Sequence, residues 1–282
     1  MLTMPYDATR DSLFHPGNAT DFFKHGPIAS DAALCAEMAR LAYVKETDRL
    51  QKFLGEGGFA LGATVGYNTR GTQAFVATIP TGLTVVAFRG TEPDDPTDLF
   101  ADAKFEKVPW TVDDKPVGAV HHGFAEAFRS SFPQDKTFRD LLTGSARVLI
   151  TGHSLGAAVA TLAASVLRPD HLYTFGSPLV GDEEFRLSMH DVDHGRYVDC
   201  CDLVTRVPPE FLGYVHVGAL RYIDRNGTVL NAPSDDTIEA DRREASLAYL
   251  FKYAFRPGTV PVRELADHTP VNYLSAVMGL RP

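Results

Sequence analysis

The stretch Gly152-His153-Ser154-Leu155-Gly156 constrains this chain more than any other. It follows the apolar run Arg147 to Thr151 and opens the Ala-rich run Leu155 to Leu167. A strand that passes through G-x-S-x-G into a helix must bend sharply, and the bend lifts the serine hydroxyl above the edge of a sheet. Gly152 and Gly156 let the bend pack against neighbouring backbone, and a helix N-terminus beside the serine favours negative charge that develops there. Ser154 is therefore the candidate nucleophile. In a bare glycine-rich loop the same five residues would be a chance match, but the strand before them and the helix after them are the context the motif needs.

The rest of the chain reads as alternating strands and helices. Residues 59–67 and 72–79 alternate in polarity and are punctuated by glycine, which predicts a strand pair. Leu83 to Phe88, His171 to Phe175, Arg196 to Cys200 and Tyr214 to Ile223 read as further strands. Helices are expected from Ser30, as cap, to about Val44, from His122 to Leu142 with a break at Pro133, and over 237–255 and 270–279. Asn226-Gly227 predicts a tight hairpin turn. Strands alternating with helices imply one mostly parallel central sheet with helices on both faces. With no repeat or linker, residues 1–282 read as a single domain in which 1–29 form an irregular arm rich in Pro, Gly and Asp.

A serine hydroxyl is a weak nucleophile until a base takes its proton and a carboxylate orients that base. For a serine on this kind of bend the chain order is Ser, acid, His. Asp202 lies just past the strand that ends at Cys200, on the rim where such sheets place their chemistry, whereas Asp199 lies inside the strand. Only His216 and His268 follow Asp202. His216 falls in the alternating run Tyr214-Val215-His216-Val217-Gly218, where a structural role is expected. His268 stands on the loop before Thr269-Pro270, which suits a helix cap and first turn, and from there it can lean over the sheet edge. An oxyanion site needs two preorganised donors. The N–H of Leu155 is one candidate. Thr91, after the apolar strand and Gly90, is the other, with both N–H and O–H to offer.

These segments resemble the fungal-type class 3 lipases. The resemblance is carried by Val85–Thr91, Asp98–Asp102, His122–Phe124, Thr151–Ala157, Tyr173–Asp182, Asp202–Pro209, Tyr214–Gly218, and His268 with Tyr273. It implies an α/β-hydrolase fold and a carboxylic ester hydrolase with its nucleophile at Ser154, acid at Asp202, base at His268 and oxyanion donors at Thr91 and Leu155. Triacylglycerol lipase, short-chain carboxylesterase, phospholipase A1 and aromatic-acid esterase stay open as activities. A lipase-like binding or signalling module without catalysis is the alternative from another class, though such a module has no need to keep all three residues. The segment Glu92 to Thr97 is acidic and proline-bearing, where relatives place an apolar lid.

Composition limits the partners. Net charge is -9, with 36 Asp and Glu against 27 Lys and Arg, which argues against nucleic acid. The expected partner is a small-molecule ester or lipid substrate, with no cofactor and no metal. No apolar run is long enough to span a bilayer, and Met1 to Asp11 shows no leader pattern, so the expectation is a cytoplasmic protein. The three cysteines, Cys35, Cys200 and Cys201, suit buried thiols better than a disulfide framework. The run Ala245 to Phe255 is apolar or aromatic on most sides, so the helix that carries it is expected to be covered on more than one face. Tyr249 and Phe255 on it are the candidates for the wall of a substrate pocket.

Overall fold

A computed structural model describes residues 3–25, 28, 30–66, 73–90, 105–131, 140 and 142–281. Its strands are β1 Ala60–Gly66, β2 Gln73–Thr78, β3 Leu83–Phe88, β4 Lys107–Val112, β5 Lys115–His121, β6 Arg147–His153, β7 His171–Phe175, β8 His194–Asp199, β9 Ala219–Ile223 and β10 Val229–Asn231. Its α-helices are α1 Arg10–Phe14, α2 Asp31–Leu41, α3 Thr47–Glu56, α4 His122–Ser131, α5 Leu155–Leu167, α6 Glu183–Ser188, α7 Asp235–Lys252, α8 Arg263–Ala266 and α9 Pro270–Val277.

Eight strands form one sheet in the order β1-β2-β3-β6-β7-β8-β9-β10. From β3 to β9 all neighbours are parallel, and the two margins, β1-β2-β3 and β9-β10, are antiparallel. The period of two sorts the apolar residues onto two faces. Phe75, Val85, Ala87, Leu149 and Phe175 share one core with α2 and α9, while Ala74, Val86, Phe88, Ile150 and Leu172 share the other with α5. The alanines of α5 explain its position. Ala157, Ala158, Ala160, Ala163 and Ala164 are all buried, so the helix axis approaches the sheet closely. This is the α/β-hydrolase architecture, and the carboxyl ends of β6 and β8 bring Ser154 and Asp202 to one rim.

Local chemistry sets the ends of these elements. Ser30 caps α2 by accepting from the Ala33 N–H at 3.2 Å. Asp224 and Gly227 close the β9–β10 hairpin as the Asn-Gly pair predicts. Some expectations need correction. His216 is not in a strand, because β9 begins at Ala219. The β4–β5 hairpin, helix α3 and the arm's helix α1 were not foreseen in the sequence. Thr269 stands at the cap of α9 without a side-chain bond to it. The arm is also less loose than its composition implies: the Met4 N–H donates to the Leu280 carbonyl and the Asp7 N–H to Asn272 Oδ1. The expected break at Pro133 lies outside the described residues.

Candidate active site

Ser154 occupies the single residue between β6 and α5, with φ 61° and ψ -129°. This backbone region is disfavoured for any residue with a side chain, at a cost of about 1–3 kcal/mol. The surroundings hold it there. A Cβ on Gly152 would stand 2.2 Å from the carbonyl oxygen of Gly156, and one on Gly156 would stand 2.3 Å from that of Phe88. The two glycines therefore let strand, bend and helix interlock, and the Ser154 N–H donates to the Phe175 carbonyl at 3.0 Å.

The bend, the loop after β8 and the loop before α9 converge on one ring. Nε2 of His268 lies 2.9 Å from Ser154 Oγ. Nδ1 of the same ring lies 3.0 and 2.9 Å from the two oxygens of Asp202. A carboxylate accepts only, so Nδ1 carries the proton and Nε2 is left to accept from the serine hydroxyl. All three residues are buried. Asp202 is fixed by two more donors, the Val204 N–H at 2.9 Å and the Tyr273 hydroxyl at 2.6 Å. Tyr273 in turn accepts from the Asp199 N–H at 3.0 Å.

Histidine at position 153 has a role that the sequence reading passed over. Its Nε2 meets the His268 carbonyl oxygen at 2.8 Å and its Nδ1 meets the Tyr43 hydroxyl at 2.7 Å. The carbonyl can only accept, so Nε2 donates and Nδ1 accepts from Tyr43. Burial, and then the nearby His268 charge, hold the His153 pKa well below its ordinary value, which keeps the ring neutral as this bonding requires. The signal was available in principle, since His153 lies inside the motif.

The remaining candidates are placed unevenly. Leu155 is the first residue of α5, so its N–H is among those that an α-helix leaves without an intrahelical acceptor. Thr91 and the segment Glu92 to Thr97 lie outside the described residues. Tyr249 is not at the site. Its hydroxyl donates to the Val260 carbonyl at 2.6 Å, and its ring packs with Tyr6 and Tyr253 in a cluster that includes Ala8 and Leu13. The arm supplied Tyr6, Ala8 and Leu13, and nothing in the helix's own spacing could announce them. Phe255 is exposed beyond the end of α7, so among the described residues neither forms a pocket wall. His216 is half-buried in the loop before β9, and burial lowers its pKa well below the ordinary value.

Cys200, Cys201 and Asp267 place potential metal-ligand atoms within 4.8 Å of one another, all buried. Protein groups already engage them. Asp267 accepts from Arg263, Tyr6 and the Cys201 N–H, and the Cys200 thiol donates to Asp241. The contact with Cys201 and then burial raise the Cys200 pKa, so a thiolate ligand is disfavoured.

With this geometry in place, comparisons with known proteins agree on the class. Residues 85–212 match the family model described as Lipase (class 3). A secreted mono- and diacylglycerol lipase of Fusarium solani is 36% identical over 119 residues, which cover 37% of this chain and 34% of that protein. A triacylglycerol lipase of Arabidopsis thaliana is 30% identical over 215 residues, covering 54% of this chain and 40% of that one. The chain thus spans less than half the length of these curated relatives. Among solved structures, lipase II of Rhizopus niveus superposes with a TM-score of 0.57 at 24% identity, over 68% of this chain and 77% of that chain.

Fold and comparison together define an α/β-hydrolase. Within that class the chain is similar to the fungal-type class 3 lipases, the match to their family model running over residues 85–212. The family match ends at residue 212, before His268, so the comparison does not reach that residue and only the geometry above bears on it. The expectation of a cytoplasmic protein is corrected here, because the Fusarium relative is a secreted lipase. A leader is cut away on export, so the lack of its pattern carries no information about where a mature chain works. Among the described residues no helix is long and apolar enough to cross a membrane.

Proposed function

We propose that this chain is a serine carboxylic ester hydrolase acting on lipid esters. The observation that carries the reading is the single His268 ring bonded to Ser154 Oγ on one side and to Asp202 on the other, each at about 2.9 Å. In this reading Ser154 Oγ attacks the acyl carbon as its proton passes to His268 Nε2. The imidazolium so formed is stabilised by Asp202, and the N–H groups of Leu155 and Thr91 hold the oxyanion. His268 then gives the proton to the leaving alcohol. A water molecule, activated by the same ring, attacks the acyl-enzyme and frees the acid.

The lipid ester substrate and an extracellular setting are carried over from the relatives named above. A hydrogen-bonded and fully buried triad also speaks against a non-catalytic module, which would have no use for a preorganised base. The test is labelling with a fluorophosphonate and hydrolysis of esters from acetate to long-chain triglyceride. Ser154→Ala and His268→Ala should abolish both, while His216→Ala should retain most activity. Normal labelling of His268→Ala together with loss in His216→Ala would overturn the assignment.

A further inference from the structure

Helix α7 buries one stripe, Ile238, Asp241, Ala245 and Tyr249. Over its first turns the opposite face is charged and exposed, with Asp235, Asp236, Glu239, Arg243 and Glu244. Near the carboxyl end that outward face turns apolar. Leu247 is 55% exposed, Leu250 45% and Phe251 87%, and beyond the helix Phe255 is 87% and Val262 44% exposed. The covering that the sequence predicted for this run is therefore missing on one side. A soluble surface seldom presents so many large apolar residues side by side without a use for them.

The charge of the same stretch is equally uneven. The chain carries 36 acidic residues and a net charge of -9, yet none of the acids falls between Ala245 and Arg263. Lys252 and Arg256 do fall there. Both hold their cations over the Tyr253 ring, at 4.9 and 5.6 Å, so two positive charges are fixed beside the phenylalanines. Helix α7 is linked through α8 to the loop after β8. Arg263 Nη1 donates to the Ala245 carbonyl, and the Leu203 N–H, next to Asp202, donates to the Glu264 carbonyl.

We infer that the carboxyl end of α7, with Phe251, Phe255, Lys252 and Arg256, is a docking surface for an anionic lipid surface. Aromatic and aliphatic side chains enter the boundary between headgroups and acyl chains, and the two cations meet lipid phosphates. A second copy of this chain fits less well, because a two-fold contact through the patch would bring like charges together. The inference rests on the lipid-ester reading for its purpose, but its test does not need catalysis.

The experiment uses Ser154→Ala protein, which leaves lipid intact, in flotation with vesicles. Vesicles of equal parts phosphatidylcholine and phosphatidylglycerol are compared with phosphatidylcholine alone. Binding to the anionic vesicles is expected, weakening as salt is added. Phe251→Ser should weaken it about tenfold, and Lys252→Glu with Arg256→Glu should weaken it by at least as much. With Ser154 restored, the Phe251→Ser variant should turn over a water-soluble ester at the unaltered rate. Absence of vesicle binding, or equal binding by the parent and both variants, would overturn the inference. So would a dimer in solution that Phe251→Ser dissolves, since the occupant would then be a second copy. Failure to hydrolyse the soluble ester would count against the hydrolase reading alone.

Discussion

His153 Nε2–H donates to the carbonyl oxygen of His268 across 2.8 Å, so the residue before Ser154 holds the backbone of His268. The two rings lie with centroids 4.6 Å apart, and Tyr43 closes the far side of His153. Ser154 and His268 are 114 positions apart in the chain, and this bond ties their immediate surroundings together. The bond needs a proton on Nε2, and the acceptance from Tyr43 at Nδ1 needs the ring neutral.

His153→Phe should therefore lower kcat more than it raises KM. A displacement of the base by a fraction of an ångström to an ångström costs roughly tenfold to a hundredfold. His153→Gln, whose amide N–H can meet the same carbonyl, should recover part of the loss. Steady-state kinetics on a soluble ester would show it. An unchanged kcat in His153→Phe would mean that the base needs no such support.

Tyr273 makes a different prediction. Its hydroxyl donates to Asp202 Oδ2 at 2.6 Å, and burial followed by the Asp202 charge raises its own pKa well above the usual tyrosine value. Removing a donor from a carboxylate leaves it a stronger acceptor, which stabilises the protonated imidazole beside it. Tyr273→Phe should accordingly move the acidic limb of the kcat/KM profile to higher pH, with a fall in the plateau of about tenfold or less. A limb that stays in place would show that the hydroxyl only fills space.

The sequence made the sheet and the meeting of Ser154, Asp202 and His268 legible because both are local signals repeated in order. The apolar run, bend and Ala-rich helix around Ser154 could hardly be anything else, and Asp202 and His268 follow from chain order and loop position. What it did not show depends on distant partners. Tyr249 looks like a pocket residue on a helical wheel, but Tyr6 from the other end of the chain covers it. His216 sits in an alternating run that resembles a strand, yet β9 pairs with β8 only from Ala219 onward. The β4–β5 hairpin carries Pro109 and Pro116, which weaken a strand signal read residue by residue. Likewise the outward apolar face of α7 reads in sequence as a buried one, since periodicity reports composition and not exposure.

Gly156→Ala tests the bend itself. The added methyl would meet the Phe88 carbonyl carbon and oxygen at 2.7 and 2.3 Å, and backbone cannot step aside as a flexible side chain can. The expected loss is about 1–3 kcal/mol of stability, or roughly 2–4 °C in Tm per kcal/mol for a chain of this size. Labelling of Ser154 should slow as well, since the methyl pushes β3 away from the bend. A variant with unaltered Tm and unaltered labelling would show that the bend has slack.

The last prediction concerns acid. His194 is buried on β8, with Nε2 paired to Thr174 Oγ1 at 2.8 Å. Burial and then the neighbouring Arg196 charge bring its pKa down to about 3. In the unfolded chain a histidine protonates near its ordinary value of about 6.5. Between these two values the unfolded chain binds a proton that the folded chain refuses, so stability rises with pH across that window. The stabilisation is complete above about pH 6.5 and is lost as pH falls from there towards 3, at up to about 1.4 kcal/mol per pH unit from this one ring. His153 and His216 are shifted the same way and add to the slope. His194→Gln keeps an amide to face Thr174 but cannot titrate. Urea unfolding at a series of pH values from about 7 to 4 should therefore give a shallower decline for the variant, by about 1.4 kcal/mol per pH unit at its steepest. Parallel declines for the two proteins would mean that His194 takes up its proton in the folded state as readily as in the unfolded one.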